Sequence, residues 1–146
     1  MQFLFRVGLV IPNQTFHQTK KYPMTKNILM VLIGGGTGSV LRYLASLLTS
    51  KFFPTTFPLA TFLVNIIGCL IIGVVTGLYL KNNISNPDTK LLMVTGFCGG
   101  FTTFSTFAQE NVSLLQANNI TIAIIYTGLS VILGLTFVWL GLLITK

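Results

Sequence analysis

The sequence is poor in charge, and poorest in acid. Only 8% of its 146 residues are Asp, Glu, Lys or Arg, and the acids are Asp88 and Glu110 alone. Soluble domains carry about a quarter charged residues, so a soluble globular chain is excluded. Hydrophobic residues make up 52%, and the mean hydropathy is +0.81. Cysteine is also scarce: Cys69 and Cys98 both fall in apolar segments without partner spacing, which argues against a disulfide framework. The one histidine, His17, is far from both, so a zinc site is not indicated either. Nine basic residues leave a formal charge of +7. In a soluble protein that excess would suggest nucleic acid. Here Arg6, Lys20, Lys21, Lys26, Lys51, Lys81, Lys90 and Lys146 flank apolar runs and read as headgroup and topology charges, with no nucleic-acid partner.

What is abundant is apolar sequence of membrane-crossing length. Four stretches stand out: Ile28–Leu48, Leu59–Leu80, Leu91–Ala108 and Ile120–Ile144. Each meets the roughly 18–20 residues needed to cross ~30 Å of hydrocarbon. The expected fold is an all-α membrane protein of four transmembrane helices, with no room for a soluble domain and no enzymatic centre. Residues 1–23 are polar and irregular after a short apolar run that Arg6, Gly8 and Pro12 interrupt, too short to span and without a clear signal-peptide cleavage site. Met24 directly precedes the first span. Either translation begins there or residues 1–23 are a dispensable extension, which leaves 24–146 as the membrane domain.

The third span is unusual. Gly96 to Phe107 packs three glycines, four hydroxyls and four phenylalanines into twelve positions. Glycine lowers helix propensity by roughly 1 kcal/mol relative to alanine, so a break near Gly99 is expected. Broken backbone at bilayer depth is tolerated where it is buried in protein or lines a polar cavity, and interrupted helices often mark ion sites. The alternative is a kinked packing helix with small residues at a helix contact.

Other polar residues carry similar pairs of readings. Gly34 and Gly38 fit small-residue helix packing; the glycine run lacks the Lys-Ser/Thr ending of a phosphate loop. Arg42 lies inside the first span and either snorkels to the interface beside Tyr43 or sits at a water-filled entrance. Asn65 stands in the apolar run Leu63–Ile67, as an interhelical hydrogen-bonding group or as an N–H donor facing a pore. Gly73 and Gly77 repeat the packing spacing. Glu110, at the expected end of the third span, is solvated, hydrogen-bonded or at a pore mouth. Tyr126, Ser130 and Gly134 share one helix face, as a packing seam or a polar track.

Three motifs together resemble the fluoride channels of the CrcB/Fluc type. They are Gly35 to Tyr43, Pro58 to Gly68 with Thr61 and Asn65, and Gly96 to Phe107, and the likeness covers about Met24 to Lys146. Ser39, Ala60 and Cys69 depart from the common alanine, glycine and serine of that family, and residues 1–23 have no counterpart. The resemblance implies a fluoride-selective channel in the plasma membrane that exports F⁻ down its electrochemical gradient. It further implies an antiparallel, dual-topology dimer with two pores built from both subunits. By the same resemblance, Asn65, Phe104, Ser105, Thr106, Phe107, Tyr126 and Ser130 are pore residues, with Arg42 at the vestibule and Glu110 beside the path. Gly99 and Thr102 would hold a structural, untransported Na⁺ through their carbonyls.

The chemistry suits these roles, since a strongly hydrated anion needs N–H, O–H and positive ring edges in place of water. Two other readings compete: a small proton-coupled multidrug-type transporter, which wants a carboxylate deep in the membrane, and a non-transporting membrane scaffold. With both termini on one side, Lys26, Lys81, Lys90 and Lys146 oppose Lys51 and Arg42. That bias leaves both a homodimer and a heterodimer with an oppositely oriented paralogue open.

Overall fold

The computed structural model describes residues 24–81 and 86–146. Residues 1–23, His17 among them, and residues 82–85 lie outside the described residues. Among the described residues, four helical rods are long and apolar enough to cross a membrane: Met24–Phe52, Leu59–Leu80, Pro87–Gln116 and Ile120–Ile144. Backbone in hydrocarbon must bond to itself, so apolar runs of this length become helices regardless of their β-branched content. We label Met24–Phe52 α1 and Leu59–Leu80 α2. The third rod begins as α3 (Pro87–Lys90), widens to a π-helix over Leu91–Cys98, and tightens again as α4 (Gly99–Phe101). It then breaks, resumes as α5 (Phe104–Gln116), and leads to α6 (Ile120–Ile144).

Three expectations shift here. The third span is longer at both ends than Leu91–Ala108, because Asn86 caps α3 by accepting from the Asp88 N–H and α5 runs on to Gln116. The break falls at Thr102 and Thr103, which are extended (φ −82°, ψ 159° and φ −152°, ψ 119°), while Gly99 remains helical. Glu110 consequently lies well inside α5 rather than at a span end. Asp88 sits in the first turn of α3 and ion-pairs with Lys26 of α1.

Small residues set the helix contacts. A Cβ on Gly96 would come within 3.1 Å of Gly34 Cα, and one on Gly100 within 2.9 Å of Gly35 Cα. The α1 glycines and the third-span glycines therefore let two backbones touch, as the small-residue spacing predicts. The second seam joins α2 to α6, where a Cβ on Gly141 would approach Gly73 Cα to 2.8 Å. The turn after α5 closes with Asn118 at φ 60°. There the Asn119 N–H reaches the Leu114 carbonyl (2.8 Å) and the Asn118 N–H reaches Leu115 (3.1 Å). This is the paired carbonyl cap that ends many helices, with asparagine in the left-handed position.

Candidate functional site: an open groove at the helix break

The break is held from α2. Asn65 accepts from the Thr103 N–H through Oδ1 (2.8 Å) and donates from Nδ2 to the Thr103 carbonyl (3.2 Å). One side chain thus bonds both backbone polar groups of Thr103, whose N–H has no helical acceptor at the break. Of its two readings, Asn65 takes the hydrogen-bonding one with Thr103 and still keeps one Nδ2 hydrogen for another partner.

The clamp redirects the helical bonds around it. In an unbroken helix the Thr103 N–H would bond the Gly99 carbonyl, but Asn65 takes it. The Thr106 N–H would bond the Thr102 carbonyl, but it is given to Thr103 Oγ1 (3.2 Å). Gly99 and Thr102 therefore each lose their ordinary helical donor. Thr103 caps α5 as its N-terminal residue, a position that favours threonine.

With α5 starting at Phe104, the rings of Phe104 and Phe107 stack one turn apart, centroids 5.8 Å and planes tilted 37°. Phe104 is 79% exposed within the subunit. The two rings, Asn65, Thr102, Thr103 and Ser130 line one open groove of about 280 Å³, with Cys69, Ile72 and Val131 completing it. Ser130 Oγ is buried there and has no hydrogen-bond partner among the described residues. Four expected pore residues are thus brought together: Asn65, Phe104, Phe107 and Ser130.

Tyr126 stands behind them. Its ring lies 5.0 Å from that of Phe107 and it is wholly buried. Its hydroxyl donates to Glu110 Oε2 (2.7 Å), while Thr61, 4% exposed, donates to Glu110 Oε1 (2.7 Å). Both carboxylate oxygens are therefore held by hydroxyl donors from α2 and α6. Ser130 and Gly134 continue the Tyr126 face, Ser130 into the groove and Gly134 against Cys69 Sγ, where a Cβ would come within 3.6 Å. The stripe is both a polar track and a packing seam.

A second cleft of about 220 Å³ lies under Arg42 and is lined by Ser39, Tyr43, Ser46, Thr61, Thr103 and Thr106. Arg42 makes no hydrogen bond or ion pair among the described residues. A third, of about 530 Å³, is lined by Thr106, Gln109, Glu110, Ser113 and the loop before α2. Thr106 faces both. Ser105 is exposed and lies 3.3 Å from Thr103 Oγ1. Gly99 does not reach the groove; it lies exposed on another side of the third rod.

Two site residues carried too little weight in the sequence. For Thr103 the local signal was only its residue type, threonine being a favoured helix N-cap. Thr61 sits four residues before Asn65, hence on the same face of α2, but nothing local pairs it with Glu110.

The fold defines a multi-pass membrane protein whose broken third span opens a mostly apolar groove with a few polar groups in its wall. The family model described as CrcB-like protein, Camphor Resistance (CrcB), matches residues 29–142. A relative from Flavobacterium psychrophilum, named fluoride-specific ion channel FluC, is 53% identical over 121 residues, 83% of this chain and 98% of that protein. A second so named, from Azobacteroides pseudotrichonymphae, is 47% identical over 84% of this chain and 98% of its own length. A third, from Gloeothece citriformis, is 47% identical over 82% and 96%. The chain belongs to the CrcB family.

Proposed function

We propose that this protein is a fluoride-selective channel that lets F⁻ leave the cytoplasm across the plasma membrane. The observation that carries the reading is the groove at the break. Its polar elements are the spare Asn65 N–H, the unpartnered Ser130 hydroxyl and the edges of Phe104 and Phe107. Each can offer positive charge to an anion stripped of water. Arg42, unpaired above a hydroxyl-lined cleft, draws anions toward the entrance. Residues 24–146 form the functional unit, which the match over 29–142 supports.

The groove is open on one side and Phe104 is left bare. A second, oppositely oriented subunit would close it, giving an antiparallel dimer with two pores set in lipid. Homodimer and paralogous heterodimer both satisfy this geometry. The proposed structural Na⁺ fits the donor set: the Gly99 and Thr102 carbonyls have each lost their helical N–H partner. A hard cation bound to such oxygens compensates them in a low-dielectric interior and lowers the cost of an anion nearby.

The multidrug-type alternative can no longer be set aside for want of a deep carboxylate, since Glu110 lies inside α5. What opposes it is that both Glu110 oxygens are occupied by the Thr61 and Tyr126 hydroxyls. The test is fluoride efflux from liposomes containing only this purified chain, read with a fluoride electrode under a clamped potential. Selective fluoride release supports the channel and a self-sufficient dimer. Proton-driven cation exchange, or no flux even with a co-purified paralogue, overturns it.

A further inference from the structure

We propose that Thr103 is the positioning residue of the anion path: its hydroxyl fixes the Thr106 hydroxyl as an outward donor and keeps the Thr102 carbonyl unclaimed. The proposal rests on the fluoride reading above for what the path carries, and on the geometry alone for what Thr103 does.

Threonine in a helix ordinarily turns its hydroxyl back onto the carbonyl four residues earlier. This chain does so repeatedly: Thr37 bonds Ile33 (2.7 Å), Thr102 bonds Cys98 (2.8 Å), Thr136 bonds Ile132 (2.8 Å) and Thr145 bonds Gly141 (3.2 Å). For Thr106 that carbonyl belongs to Thr102. Thr106 instead gives its N–H to Thr103 Oγ1 and accepts the Thr103 hydroxyl proton at 3.0 Å.

A hydroxyl has one proton, so the consequences are fixed. With the Thr103 proton committed to Thr106, Ser105 is the donor in its 3.3 Å contact with Thr103. The Thr106 proton remains for a partner outside the cap, and Thr106 lines both the cleft under Arg42 and the cleft beside Glu110. Thr103 itself is 8% exposed, with every polar atom engaged. It touches the cleft yet acts through its neighbour. Without its hydroxyl, the Thr106 N–H loses its acceptor, the Thr106 O–H turns back to the Thr102 carbonyl, and the pore loses an outward donor.

The experiment compares Thr103→Val, which keeps the shape without the hydroxyl, Thr103→Ala, which keeps neither, and Thr103→Ser, which keeps the hydroxyl without the methyl. Fluoride efflux should fall at least tenfold in Val and Ala and stay within threefold in Ser. The Thr106 amide, followed by hydrogen exchange, should exchange at least tenfold faster in Val and Ala and unchanged in Ser. If Val does not insert, the Ala and Ser pair carries the comparison. Val conducting as well as Ser, or an unchanged Thr106 amide in Val or Ala, overturns the role. Should the unaltered protein carry no fluoride, the function proposed above fails, while the exchange arm still decides what Thr103 does.

Discussion

Replacing Asn65 with leucine removes a clamp, and the cost follows from the two bonds it makes. The Thr103 N–H and carbonyl bond to Asn65 at 2.8 and 3.2 Å, and leucine offers neither a donor nor an acceptor. The Thr103 carbonyl keeps the first helical bond of α5, so the loss falls on the N–H, and a buried polar group left without a partner costs about 1–3 kcal/mol. Water in the adjoining groove can take over part of this, which favours the lower end. At about 1.4 kcal/mol per tenfold, that lower end shifts the population away from the broken conformation roughly fivefold. Fluoride efflux from Asn65→Leu should therefore fall by at least that factor, and the melting temperature should drop with it. Asn65→Asp is a sharper variant: it keeps an acceptor for the Thr103 N–H but sets a second oxygen against the Thr103 carbonyl and a negative charge on an anion path. A loss of flux in the leucine variant with melting temperature and Thr103 amide protection unchanged would refute the clamp and leave Asn65 only a pore donor. Unchanged flux would refute both.

Phe104→Ile and Phe107→Ile should each cut efflux at least tenfold with the assembly intact on size-exclusion chromatography, because isoleucine inserts equally well but has no positive ring edge; undiminished flux in both returns these rings to packing. Gly100→Ala places a Cβ within 2.9 Å of Gly35 Cα, an overpacked backbone contact costing about 1–3 kcal/mol. It should lower the thermal midpoint, whereas Gly36→Ala, which meets nothing within 4 Å, should leave the isolated subunit's packing alone. Replacing Na⁺ by a larger cation on both sides should reduce flux or destabilise the dimer, with no tracer sodium transported, since a bound structural ion stabilises the assembly by mass action; indifference to Na⁺ at every concentration, or sodium moving with fluoride, rules the static ion out.

The four spans were legible because lipid leaves the backbone no alternative: any apolar run of crossing length must be a helix. The glycine seams were legible for a similar reason, since a small residue every fourth position has few uses other than close helix contact. Exact limits were not. Polar caps lengthen the third span at both ends, as Asn86 and Asn118 do, and hydropathy does not weigh them. The π-helix over Leu91–Cys98, which packs along α1, left no sign in the sequence.

The break was foreseen near Gly99, on the strength of glycine's low helix propensity, and propensity misled. Gly99 and Gly100 both stay helical; Gly100 is needed for its close approach to α1, where a Cβ would come within 2.9 Å of Gly35 Cα, while a Cβ on Gly99 would meet only the Val94 carbonyl at 3.9 Å. The chain breaks instead at two threonines, β-branched and unremarkable in a helix, because Asn65, 38 residues earlier, pulls the Thr103 peptide out of register. That cause is tertiary, and no local window contains it. Glu110 teaches the same lesson. Read alone, it is a charge at the end of an apolar run; in the fold it is the point where hydroxyls from α2 and α6 converge. Both cases turn on side chains from one helix satisfying groups on another. A sequence can announce that a polar residue in the membrane needs a partner, but only the packing of the spans says which partner it has.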